Sequence, residues 1–255
     1  MTARKRVGLI VPSSNTTIET EVPAMVRAAR LPLEVTFHSS RAVLHSVDVA
    51  SLARMVADGD RNVSELSDAR VDVLVYACLV ALMARGSRAH EAAEAHLEGV
   101  AREAGCAAPV VSSAGALIRA MQRLNARRVA IITPYMPDLT QRVAAYIEDY
   151  GIFVADSVSL SVPDNVQVGR LDPAALLKHA EGLDLSGVDL LVASCCVQMP
   201  SLSALDDLER TLGLPVISAA TATTAEVLDA LGVPRSVPGA GALLRPSPSA
   251  MASGG

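Results

Sequence analysis

Two stretches decide how this chain is read: "RVGLIVP" at residues 6–12 and "RVAIITP" at residues 128–134. Each is an apolar, β-branched run opened by Arg and closed by Pro, the signature of a short buried strand. The likeness continues outward from both. "VDVLVYAC" (71–78) is answered by "VDLLVASCC" (188–196), and "APVVSSAGALIRAM" (108–121) by "LPVISAATATTAEVL" (214–228). Three matches in the same order indicate an internal duplication.

Helical patterns fill the intervals. "TIETEVPAMVRAA" (17–29), "DVASLARMVADGDRNVSELSDA" (48–69), "SRAHEAAEAHLEGVAREAG" (87–105) and residues 114–124 carry helical spacing, and "LEVTFHS" (33–39) reads as another strand. The run at 71–78 is too apolar to face water on either side, as in a parallel sheet. The predicted fold is therefore α/β: two pseudo-twofold-related, Rossmann-like halves, each a mainly parallel sheet flanked by helices. The halves span 1–125 and 126–232. The Pro/Gly/Ser-rich tail, 233–255, is predicted to be mobile from about Pro238. Ligands of open parallel sheets bind beyond the carboxyl ends of the strands, so duplicated halves place one active site in the cleft between them.

Composition narrows the function. Aromatic residues are 2% of the chain, Trp is absent and the formal net charge is −5. No basic patch or stacking platform is present, which argues against nucleic-acid binding. The longest uncharged apolar run, 73–84, is well short of the roughly 20 residues a spanning helix needs. The apolar part of "MTARKRVGLIVPSSN" is also too short for a signal peptide. The expectation is a cytoplasmic protein with no membrane association.

The residues just past each strand make a consistent set: Ser13 to Thr17, Cys78 with Leu79 and Val80, Tyr135, Asn165, and Cys195, Cys196, Val197 and Gln198. These are thiols, amides, hydroxyls and one phenol; Asp164 is the sole charged neighbour. No carboxylate pair for glycosidic chemistry, Walker loop or Ser-His-Asp set appears. His90 and His96 in "HEAAEAH" lie six apart, on different helix faces, which is not a zinc spacing. No CxxC is present, no metal site is expected, and Cys106 in "EAGCAAP" reads as a small buried hydrophobe.

Cys78 and the Cys195/Cys196 pair each stand where a strand ends and a helix is predicted to start. A helix N-terminus lowers a thiol's pKa, and its free N–H groups hold carboxylates. A small anionic substrate between two thiols is the reading. The residues alone leave the second thiol open: aligning the halves on their strands pairs Cys78 with Cys195, and aligning them from the cysteine onward pairs it with Cys196. Tyr135 and Asn165 are open too, as turn residues or ligands. So is the reaction: a two-thiol racemase of a small acid or a non-catalytic anion-binding module also fits.

The segments "VGLIVPSSNTTIETE", "VYACLVALM", "TPY", "PDN" and "CVQMPSL" together resemble the maleate cis-trans isomerases, of the aspartate/glutamate racemase superfamily, over residues 6 to 232. That resemblance implies cofactor-independent conversion of maleate, a small dicarboxylate, to fumarate. It implies a cytoplasmic homodimer acting in nicotinate degradation. It makes Cys78 the nucleophile and Cys196 the acid/base partner. Asn15, Tyr135 and Asn165 then hold substrate, with the backbone amides of Leu79, Val80, Val197 and Gln198 on its carboxylates. The related arylmalonate decarboxylases lack the first cysteine, so Cys78 argues against decarboxylation.

Overall fold

The first half begins with strand β1 (Arg4–Pro12), helix α1 (Ile18–Ala28), strand β2 (Glu34–Ala42) and helices α2 (Val49–Ala57) and α3 (Gly59–Asp68). Strand β3 (Val73–Tyr76), helices α4 (Leu79–Met83) and α5 (Ala89–Glu103), strand β4 (Val110–Ser112) and helix α6 (Ser113–Arg123) complete it. The second half runs β5 (Arg128–Thr133), α7 (Pro137–Glu148), β6 (Phe153–Ser159), α8 (Asn165–Val168), α9 (Ala175–Glu181) and β7 (Leu190–Ser194). It closes with α10 (Leu205–Leu212), β8 (Val216–Ser218) and α11 (Ala219–Ala230). These elements come from a computed structural model, which describes residues 3–44 and 46–245.

The duplication is visible in the topology. One sheet has the order β2-β1-β3-β4 and the other β6-β5-β7-β8, and every pairing is parallel. Val7 to Pro12 of β1 and all of β3 and β7 are buried, because helices cover both faces of each sheet. The two sheets meet through α6 and α11. There Thr223 donates to Ser113 at 3.0 Å, and Arg119 bridges Glu94 of the first half (3.1 Å) to Glu226 of the second (2.6 Å). Among the described residues, no helix is long and apolar enough to cross a membrane.

Two expectations are corrected. The single helix predicted over 48–69 is two, parted at Asp58. Gly59 then comes so close to the core that a Cβ there would stand 3.2 Å from Leu97 Cδ2. Up to Arg245 the tail packs against the second half rather than standing free of it. Val237, Ala240, Leu243 and Leu244 are buried, and Val237 N–H donates to the Leu244 carbonyl at 2.8 Å. The Glu209 carboxylate accepts from Ala242 N–H (2.7 Å) and Val216 N–H (2.8 Å). Gly241, at φ 74°, lies where a Cβ would meet the Val216 carbonyl oxygen at 2.5 Å. Both the positive φ and the close packing call for glycine here. Residues 246–255 lie outside the described residues.

Candidate active site

Both central strands, β3 and β7, end on a cysteine inside the cleft. Ala77 N–H donates to the Ile10 carbonyl at 2.8 Å, carrying the sheet one residue beyond β3. Cys78 follows in an extended conformation as the N-cap of α4. In the second half Cys195 N–H donates to the Ile132 carbonyl at 3.0 Å, and Cys196 opens a turn closed by Met199 N–H at 3.2 Å. The Ser194 hydroxyl lies 2.8 Å from the Cys196 carbonyl and 3.2 Å from that of Met199, holding the turn. The expectation that both cysteines begin helices thus holds for Cys78 and fails for Cys196. Pro200 restricts Met199 and has no N–H to donate, so the chain turns instead of coiling.

A small cavity of about 20 Å³ lies between these strand ends. Asn15, Cys78, Leu79 and Val80 line it from the first half, and Tyr135, Asn165, Cys196, Val197 and Gln198 from the second. All nine residues singled out in the sequence thus lie around one space. Cys196 reaches it at 8% exposure and Cys78 at 5%, whereas Cys195 is wholly buried and does not line it. The extra residue between the two registers turns Cys195 away. Cys106 packs elsewhere, its thiol 3.6 Å from the Val71 carbonyl.

The sequence reading missed Leu44 and Val47, which close the cavity from the segment after β2. The end of β2 is thus a further cleft-forming strand end. The signal was present in "AVLHSV" (42–47), apolar residues in a segment that surface loops fill with polar ones. Ser46 and Asp164 pair as an isolated antiparallel bridge, joining this segment to the second half.

The polar groups divide into committed and uncommitted. Asn15 Oδ1 accepts from Ile18 N–H at 3.2 Å, just before α1, while its Nδ2 is buried with no partner. A buried amide donor left unpaired is costly, which marks this one as placed for an acceptor in the cavity. Asn165 Nδ2 donates to Ser14 Oγ at 2.7 Å. The Tyr135 hydroxyl donates to the Cys195 carbonyl at 3.1 Å, and the Cys196 sulfur is its neighbour.

Burial governs the thiols. It pushes Cys78 up to about 12; the Ala81 N–H acts in the opposite direction and the nearby Cys196 adds to the rise. The predicted lowering by a helix N-terminus is therefore outweighed by desolvation. Burial raises Cys196 as well, opposed by the Tyr135 hydroxyl and the N–H groups of Gln198 and Met199. Cys195, buried with no such donor, is raised further. Among the described residues no cluster of His, Cys, Asp or Glu is placed to hold a metal ion.

Comparison with known proteins gives consistent matches. The sequence model of the Amdase family, arylmalonate decarboxylase, matches residues 7–244. A maleate isomerase from Geobacillus stearothermophilus is 51% identical over 242 residues, covering 94% of this chain and 96% of that protein. A crystal structure of a Pseudomonas putida maleate isomerase, a cysteine-to-alanine variant with maleate, superposes at a TM-score of 0.93. It is 47% identical, with 94% of this chain and 97% of that one covered. A Nocardia farcinica maleate cis-trans isomerase, a cysteine-to-serine variant with a covalently bound succinylcysteine intermediate, superposes at 0.92. It is 45% identical, with 95% and 99% covered.

Proposed function

The chain belongs to the maleate isomerase family, within the wider Amdase group, and we propose that it converts maleate to fumarate through a succinyl thioether on Cys78. One observation carries the assignment of roles. Two thiols, one from each half, line a single cavity beside the unpaired amide donor of Asn15.

The chemistry follows from what a double bond forbids. Rotation about C=C requires the π bond to be broken. Cys78, as thiolate, adds to one alkene carbon, and the electron pair moves toward the far carboxylate. Cys196 S–H then protonates the second carbon, leaving a Cys196 thiolate. The Tyr135 hydroxyl and the Gln198 and Met199 N–H groups stabilise that anion. The former double bond is now single and turns. Cys196 takes the proton back, the C–S bond breaks, and Cys78 leaves as thiolate with fumarate as product. One proton crosses and returns, so the cycle balances without an external acid, base or cofactor.

The carboxylates are held without Lys or Arg. Asn15 Nδ2 and the N–H groups of Leu79 and Val80, in the first turn of α4, serve one end. Asn165 and the amides of Val197 and Gln198 serve the other. The same reading makes the enzyme a cytoplasmic homodimer in nicotinate degradation.

The test is direct: purified protein is mixed with maleate and followed by proton NMR. Fumarate appears, and neither aspartate nor glutamate racemises. Racemisation without fumarate would replace this assignment with the two-thiol racemase.

A further inference from the structure

Gln198 is expected at the site for its backbone N–H, yet its side chain has a task of its own. It is 2% exposed, and all four of its hydrogen-bonding positions are used. Nε2 donates to the carbonyls of Ser14 (3.0 Å) and Asn165 (2.9 Å). Oε1 accepts from Thr16 N–H (3.1 Å) and Thr17 N–H (3.4 Å). Two carbonyls on one side and two N–H groups on the other leave one orientation of the amide. None of these contacts stays within its own turn. Three go to the segment carrying Asn15, in the other half, and the fourth to Asn165 itself.

We infer that the Gln198 side chain is a positioning residue. It fixes Asn15 and Asn165, from opposite halves, against the turn that carries Cys196, and Gly169 is the cradle that gives it room. The substrate in this inference rests on the maleate isomerase assignment; the clasp itself rests on geometry alone. Gly169 follows α8 at φ −69°, a conformation any residue adopts, so backbone freedom does not require glycine there. Space does: a Cβ would stand 2.6 Å from Gln198 Nε2 and 3.1 Å from its Cδ. Gly169 is not among the cavity residues, so a methyl there reaches the site through Gln198.

The clasp serves binding more than chemistry. Asn15 and Asn165 hold carboxylates that are present in substrate and transition state alike. Displacing them removes uniform binding, which raises KM and spares kcat. Cys196 is held separately, by the Cys195 N–H bond to Ile132 and by Ser194, so its chemistry survives loss of the Gln198 side chain.

The test uses Gln198→Leu and Gly169→Ala in the full chain, with maleate kinetics and amide hydrogen exchange. Each variant is expected to raise KM about tenfold or more with kcat within about threefold. Thr16 and Thr17 amides are expected to exchange faster while β1 and β7 stay as protected as in wild type. Unchanged KM in the folded variants, with or without faster exchange, would overturn the inference. So would a fall in kcat at constant KM. If Gln198→Leu loses protection throughout, Gly169→Ala decides. A wild type inert toward maleate would defeat the functional assignment alone. The exchange measurement would then still show whether Gln198 holds the Asn15 segment, and unchanged Thr16 and Thr17 exchange would overturn the clasp.

Discussion

The two halves share strand order, direction and the position of a cysteine after the second central strand, but they build the space around that sulfur differently. After β3 the chain coils at once, and Cys78 caps five residues of helix with one backbone N–H countering its burial. After β7 the chain turns, and Cys196 has three opposing donors: the Tyr135 hydroxyl and the N–H groups of Gln198 and Met199. More donors oppose burial at Cys196 than at Cys78. That asymmetry suits a reaction in which Cys78 becomes bonded to carbon while Cys196 carries the negative charge. The two halves place a thiol alike, and the backbone after each one sets them apart.

The largest test of the contrast is deletion of each sulfur. Cys78→Ala and Cys196→Ala are each expected to lower kcat on the order of 10³-fold or more. Cys78→Ala should also abolish adduct formation. Tyr135→Phe removes a donor from the Cys196 side alone. It is expected to cost about 10²-fold in kcat, as loss of one preorganised donor does, with a smaller effect on KM. Equal damage to both parameters would move Tyr135 from stabilising charge to holding substrate.

A pH profile sharpens the same comparison. Burial raises the Cys78 thiol to about 12, so below that its thiolate fraction grows about tenfold per pH unit. Burial raises the Cys196 thiol above its ordinary value as well, which favours its protonated form between pH 6 and 8. The product of the two fractions therefore rises with pH. Between pH 6 and 8, kcat/KM should climb with a slope approaching one; a flat profile would mean that the pair is already ionised at pH 6. The smallest expected effect is that of Cys195→Ala. Its side chain is wholly buried and outside the cavity. Activity should stay within about threefold while stability falls by about 1 kcal/mol through the lost sulfur packing, read by denaturant midpoint.

Much of this was legible in the sequence because it is local or periodic. The apolar runs ended by Pro, the repeated "VD.LV" and the polar residues after each strand locate the sheets and the cleft floor without long-range knowledge. What escaped depended on packing between distant segments. Leu44 and Val47 enter the site because the segment after β2 bridges to Asp164 in the other half. The tail reads as mobile from its glycines, yet Gly241 is needed for contact with Val216. Cys78 does stand at a helix start, but its thiol is raised and not lowered, since desolvation outweighs one N–H. The choice between Cys195 and Cys196 was a one-residue register, and in a strand one residue exchanges the faces.

Intact-mass and peptide analysis decides whether Cys78 forms the bond to substrate while Cys196 moves the proton. The Cys196→Ser variant is mixed with maleate, with Cys78→Ser beside it. A gain of one maleate is expected in the first, mapped to the peptide containing Cys78, and no gain in the second. Fumarate formed by Cys78→Ser at the wild-type rate, or an adduct on any residue other than Cys78, would contradict that division of roles.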